Sequence, residues 1–222
     1  MTKRSVPFIV GEWYHCFNRS IDKRTAFEDS RDYHRFLELL YLANDKSPLR
    51  RDDIGIRKFE EVLNIPRGKR LVTVGAFCLM PTHFDLVLQE TIGGGITAFM
   101  RKIGTSYTLY FNARHKRAGN LFLKPFQSRH VPTTRSFQHL VNYVHSNPAM
   151  LYEPGWRTDH VDPQFLEEQI TAYPYSSLGA HTGARTATAA IVDPQLLSLA
   201  RTVPLQKMLQ EARQYCVDSG IS

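Results

Sequence analysis

Residues 71–89, LVTVGAFCLMPTHFDLVLQ, decide how the rest of the chain folds. Two apolar runs meet at Met80-Pro81-Thr82, a turn that joins them most simply as a hairpin. Residues i and i+2 of a strand share a face. His83 and Asp85 therefore point one way, while Phe84, Leu86 and Leu88 point the other, into a core. The hairpin thus sets an imidazole and a carboxylate side by side, away from the hydrophobic layer, where they can share a divalent cation. A lone His-x-Asp is more often a plain surface pair, so the weight falls on what surrounds it.

Upstream, EWYHCFNRS (residues 12–20) alternates loosely and carries aromatics, as a first strand does. Asp22-Lys23-Arg24 makes a turn, and Asp29 or Ser30 caps a helix whose apolar positions are Phe36, Leu37, Leu40 and Tyr41, running to about Asn44. Residues 47–69 form a long basic connection with room for a short helix around Phe59 to Leu63. Downstream, Gly93-Gly94-Gly95 breaks the strand. The period then turns helical through Ile96, Phe99, Ile103, Tyr107, Tyr110 and Phe111. Residues 120–131 read as an edge strand, because Pro125 cannot donate to a ladder. A last helix begins at Thr134 or Ser136, buries Phe137, Leu140, Val141 and Val144, and stops before Pro148.

Strand, helix, strand, strand, helix, strand, helix is the ferredoxin-like order with one helix added. The expected class is α+β: a ferredoxin-like antiparallel sheet with helices on one face, plus appended C-terminal helices. Residues 8–150 form the main domain, and residues 151–182 a tail packing on it through Tyr173-Pro174-Tyr175-Ser176-Ser177. Residues 183–222 are a helical extension. Gly179 to Ala190 reads as a linker, and a helical pair opens at Asp193-Pro194, breaks at Pro204 and ends near Cys216.

The 222 residues carry a formal charge of +7 and a pI of about 9.4, a balance that favours a polyanionic partner. Three widely spaced cysteines without a CxxC indicate neither a disulfide framework nor a zinc cluster; Cys16 and Cys78 read as small buried side chains. The apolar patch near the N-terminus is too short for a signal peptide or a membrane span, so the expectation is a cytoplasmic protein with no membrane partner.

The last helix of the main domain holds VNYVHSNP (residues 141–148). Tyr143 and Asn147 lie four apart and share a face, with His139 one turn earlier. The apolar residues occupy another stripe, which leaves Tyr143 free to face a site as a nucleophile. Its rivals Tyr107 and Tyr110 lie on an apolar stripe and read as core. The amide oxygen of Asn147 is placed to complete a metal site begun by His83 and Asp85, a donor set that suits Mg²⁺ or Mn²⁺, set against the plainer reading of a helix-end cap before proline. His145 reads as structural, His139 as a solvated helix histidine, and His15, in the first strand, more as a structural residue than as one that lines the site. Arg57, Lys58, Lys69, Arg70, Arg101, Lys102, Arg114, Lys116, Arg117 and Arg129 are candidate phosphate contacts, set against the plainer reading of a solvated charged face. Phe122, Phe126 and Tyr110 offer rings for stacking, against a core reading for most of them.

MPTHFDLVLQ, GTSYTLYFNARHKRAGNLF, YVHSNP and YPYSS, in that order, resemble the single-tyrosine HUH transposases, closest to the REP-associated tyrosine transposases; the opening YHCFNRSIDKRTAF fits as well. The resemblance spans about residues 10–180. It implies a metal-dependent enzyme that cuts and rejoins single-stranded DNA at hairpin-flanked sites through a 5′-phosphotyrosine. By position, it implies Tyr143 as the nucleophile, His83 as the first histidine of the HUH pair and Asn147 as the polar residue one turn after the tyrosine. Asp85 stands where the second histidine is expected. An aspartate still binds a hard cation, but makes the site less positive beside a phosphate. Single-stranded or hairpin DNA is the implied partner, and a homodimer stays open. Asp85 also motivates an alternative, a domesticated protein that binds structured DNA without cutting it. RNA binding through sheet aromatics ranks last, because the RNP pattern is absent.

Overall fold

A computed structural model describes residues 7–48, 58–157, 162–197 and 203–220. Its centre is a four-stranded antiparallel sheet in the order β2-β3-β1-β4, formed by β1 (Trp13–Arg19), β2 (Val72–Met80), β3 (His83–Glu90) and β4 (Gln127–Val131). This is the ferredoxin-like arrangement that the element order predicts. The first helix, α1 (Ser30–Leu42), starts where the Asp29 carboxylate accepts from the amides of Arg31 and Asp32. A one-turn α2 (Phe59–Val62) lies in the long connection, and α3 (Gly95–Arg114) follows the glycine run.

Alternation along the strands sorts the side chains into two cores. Tyr14, Cys16, Phe84, Leu86 and Leu88 pack with Phe36 and Leu40 of α1 and with Phe99, Ile103 and Tyr107 of α3. The other face carries Ala76, Cys78, Met80 and Val87, which pack against α4 (Thr134–Ser146) and α9 (Leu205–Ser219). Helices α1 and α3 thus share one face, and the appended α9 joins α4 on the other. A bulge in β2 makes this possible, since Val74 faces Leu88 while Ala76 faces Val87, so the strand changes parity between them. Gly75 sits at that bulge, where a Cβ would come within 3.0 Å of the Trp13 ring.

Between α4 and α9 run α5 (Ala149–Tyr152), α6 (Pro163–Ala172), α7 (Leu178–His181) and α8 (Pro194–Leu197). The Tyr-Pro-Tyr-Ser-Ser segment extends the hairpin's outer edge, with Leu79 donating to the Tyr175 carbonyl at 2.9 Å and Ser177 donating to the Phe77 carbonyl at 2.9 Å. Two expectations need correction. Residues 179–190 are not a linker: α7 and a 3-10 turn (Ala187–Ile191) occupy much of them, and Ile191 is buried in the core. The last strand covers only Gln127–Val131, while α4 starts at Thr134 as expected, capped by Thr133, whose hydroxyl accepts from the Ser136 amide.

The carboxylate of Glu90, fully buried at the end of β3, accepts from the amides of Gly94 (2.6 Å), Gly95 (3.2 Å) and Ile96 (2.6 Å). It thereby fixes the start of α3 with a negative group at the positive end of the helix. Glu90→Ala is expected to lower the unfolding free energy by about 2–3 kcal/mol, because it removes a cap and strands buried donors. Urea denaturation at neutral pH measures it; a loss under about 0.5 kcal/mol would mean that water replaces the carboxylate.

Candidate active site

Asp85 lies mid-sheet, directly across from Phe17 on β1 and Cys78 on β2, and is 2% exposed. Its strand parity turns it to the α4/α9 face, among apolar side chains. Both oxygens are engaged: Oδ1 accepts from His15 Nε2 at 2.7 Å, and Oδ2 from Asn147 Nδ2 at 2.9 Å. His83 Nε2 stands 3.7 Å from Oδ2. Burial alone would raise the Asp85 pKa; the hydrogen bond and charge of His15, the charge of His83 and the Asn147 amide outweigh it and leave the group below its ordinary value.

The chain continues outward. The imidazole of His15 bridges outward, its Nε2 on Asp85 and its Nδ1 hydrogen-bonded to the Tyr215 hydroxyl of α9 at 2.9 Å. Burial pushes the Tyr215 phenol up to about 12. Tyr143 of α4 packs beside this pair, its ring centroid 5.8 Å from His15 and 5.1 Å from Tyr215. Tyr143 is thus brought beside His15, the ring that bonds Asp85, on the α4/α9 face of the sheet. It is not free to face an open site, however, because α9 covers the ring and leaves it 5% exposed. Burial, with the nearby Asp85 charge adding to it, holds the phenol well above its ordinary pKa, against the pull of Arg157.

The metal expectation meets two donors and not a third. His83 and Asp85 share a face and stand close enough to touch one ion, which fits an imidazole–carboxylate pair. Asn147 instead turns its amide N–H, not its oxygen, to Asp85. No group of three His, Cys, Asp or Glu side chains able to hold a metal occurs among the described residues.

Other residues sort plainly. His145 is structural: it is buried and bonded to Ser177 Oγ at 2.9 Å, and burial holds its pKa well below the ordinary value. Tyr107 is core and donates to the Ala26 carbonyl at 2.6 Å, whereas Tyr110 is only half-buried, with the Arg35 guanidinium 5.0 Å over its ring. Phe122 is core as well. Most of the cations do not line one groove with Tyr143. Arg101, Lys102 and Arg114 belong to α3, behind the sheet. Arg114 clasps Asp29 and Asp32, Lys102 donates to the carbonyls of Asp45 and Ser47, and Arg70 pairs with Asp193 at 3.0 Å. Lys116 and Arg117 follow α3, with Arg117 over the Phe111 ring, while Lys58 and Lys69 are exposed far along the chain. Arg129 is on the site face, across from His15, and donates to the Ser219 carbonyl. Arg57 lies outside the described residues. Tyr215 escaped the sequence reading altogether: it is one tyrosine among ten, 200 positions from the His15 that it bonds, and no local pattern marks it.

No protein-family model matches the chain, and no curated protein sequence does. Among solved structures, the chain is similar to a REP-associated tyrosine transposase solved bound to a REP hairpin, at 15% identity with a TM-score of 0.51, over 91% of this chain and 99% of that one. At that identity the likeness shows the fold.

Asp85 also makes stability depend on pH. A carboxylate whose folded pKa is depressed contributes stability above its unfolded pKa, and that contribution is lost as pH falls through the folded value. At pH 7, Asp85→Asn is expected to be less stable than wild type by about 1–3 kcal/mol. The gap should narrow below about pH 4. Urea denaturation between neutral and acid pH tests this, and parallel pH profiles would refute it.

Proposed function

We propose that the chain acts on single-stranded DNA at hairpin-flanked sites, as a transposase-like endonuclease and strand transferase with Tyr143 as nucleophile. The observation that carries this reading is the convergence of Tyr143, from α4, on the His15–Asp85–His83 cluster of the sheet. The transposase of like fold was solved on a REP hairpin, which supports the class of substrate. In the reaction, the Tyr143 oxygen gives up its proton and bonds to phosphorus. The bond from phosphorus to the 3′ oxygen breaks, and that oxygen takes a proton and leaves as a hydroxyl. The 5′-phosphotyrosine keeps the energy of the broken diester, so a later 3′-hydroxyl can rejoin strands without a nucleotide cofactor.

His83 and Asp85 would hold Mg²⁺ or Mn²⁺, which when bound polarises the scissile phosphate. His15 and Asn147 hold the carboxylate in place. A phenol is only about 0.1% ionised at pH 7 even at its ordinary pKa, and burial makes Tyr143 worse still. The buried tyrosine therefore belongs to a resting form, and α9 must lift before DNA reaches it. A second reading, structured-DNA binding without cleavage, is favoured by the two occupied oxygens of Asp85.

The test incubates the full-length chain with labelled hairpin-bearing single strands and Mn²⁺, and looks for a covalent adduct on a denaturing gel. Wild type is expected to form an adduct that Tyr143→Phe abolishes. Ala212 is fully buried against α4, so Ala212→Glu should loosen α9 and raise the yield about tenfold, the effect of ~1.4 kcal/mol of lost closure. DNA binding with no adduct from either protein selects the second reading.

A further inference from the structure

The sheet face that carries Asp85 is closed at one end and open at the other. At the closed end, Trp13 packs on Phe137 with centroids 4.8 Å apart, and His15 lies under Tyr215. Two residues farther along β1 the cover ends. Phe17 is partly exposed and Arg19 exposed, and both share the face of His15 by alternation. Phe17 stands directly across from Asp85, and Arg19 directly across from His83, whose side chain is 36% exposed. One row of the sheet thus runs Gln127, Phe17, Asp85, Cys78, and the next runs Arg19, His83, Met80.

The Phe17 ring leans on His15, centroids 4.6 Å apart and planes at 32°. His15 is itself locked by Asp85 and Tyr215, so this ring is a firm platform. The Arg19 side chain has no hydrogen bond or ion pair among the described residues, unlike Arg70, Lys102, Arg114 and Arg129. Leu123 donates to the Arg19 carbonyl at 3.0 Å, which brings exposed Lys124 beside it. The nearby acids are spent: Asp85 is buried, and Asp22 pairs with Arg24 at 3.0 Å. A partly exposed ring next to an uncommitted cation is what unpaired nucleotides require. Every base has a face that stacks, and every phosphodiester carries a charge.

We propose that Phe17 and Arg19 form a subsite for one unpaired nucleotide of a DNA strand, its base on the Phe17 ring and its phosphodiester on the Arg19 guanidinium. Cross-strand neighbours are about 5 Å apart, so a strand held this way lays its adjoining phosphate against His83. The subsite deepens the proposed action on single-stranded DNA and rests on it. It also makes a separate demand, that affinity resides in the unpaired nucleotides beside a hairpin and not only in the stem.

Fluorescence anisotropy on the full-length chain tests this with two DNA probes, a blunt hairpin and the same hairpin bearing a short unpaired tail, the tail also made with an abasic site at each position in turn. Wild type should bind the tailed probe more tightly, and one abasic position should weaken it about five- to hundredfold. That penalty should vanish in Phe17→Ala and in Phe17→Leu, the second of which keeps an apolar side chain against His15. Arg19→Ala should reduce the slope of log affinity against log salt by about 0.7, and Arg19→Lys should restore it. Equal wild-type binding of blunt and tailed probes, or an abasic penalty that persists without the Phe17 ring, would overturn the subsite and leave the wider reading standing. Failure of wild type to bind either probe would overturn both.

Discussion

A carboxylate buried in the middle of a β-sheet is the constraint on which this architecture turns. Removing Asp85 from water costs several kcal/mol unless charges or hydrogen bonds answer it, and the strand neighbours on its face are apolar. The answer comes from three separate elements. His15 reaches across from β1, Asn147 comes down from the end of α4, and Tyr215 of α9 fixes the imidazole from behind. One side chain thereby ties the first strand, the hairpin, the tyrosine-bearing helix and the C-terminal helix into one unit.

The same linkage divides the site face into two regions of different character. Where α4 and α9 pack together, Tyr143, His15 and Tyr215 form a dry aromatic cluster with raised phenol pKa values. Where the helices end, Phe17, Arg19 and His83 meet solvent. On the proposed reading, chemistry at Tyr143 would need the first region to open, whereas recognition of a strand would need only the second, so that DNA would be held without exposing the tyrosine. That separation is why cleaving and non-cleaving readings share so much of the same surface.

The basic charge of the chain is distributed in a way that its total does not suggest. Several arginines and lysines act as struts: Arg114 joins α3 to the start of α1, Lys102 holds the turn after α1, and Arg67 lies 3.6 Å over the Tyr41 ring. A cation spent on a buried aspartate or a carbonyl contributes little field to a passing phosphate. Uncommitted side chains such as Arg19 and Lys124 therefore matter more than the formal excess of +7.

The sequence alone determined the sheet and its two faces, because alternation and helical period are local properties that survive without tertiary knowledge. His83 and Asp85 on one face and most of the buried stripe of α3 follow from spacing, which left the cap of α1 between Asp29 and Ser30. No helix among the described residues is long and apolar enough to cross a membrane. Only the tertiary structure decided that Tyr143 is covered, that Asn147 offers its N–H and not its oxygen, and that a 3-10 turn packs where small polar residues suggested a linker. Each of these depends on contacts between residues tens to hundreds of positions apart. Period and composition carry no term for such contacts, and α9 meets α4 directly although α5 to α8 separate the two in the chain.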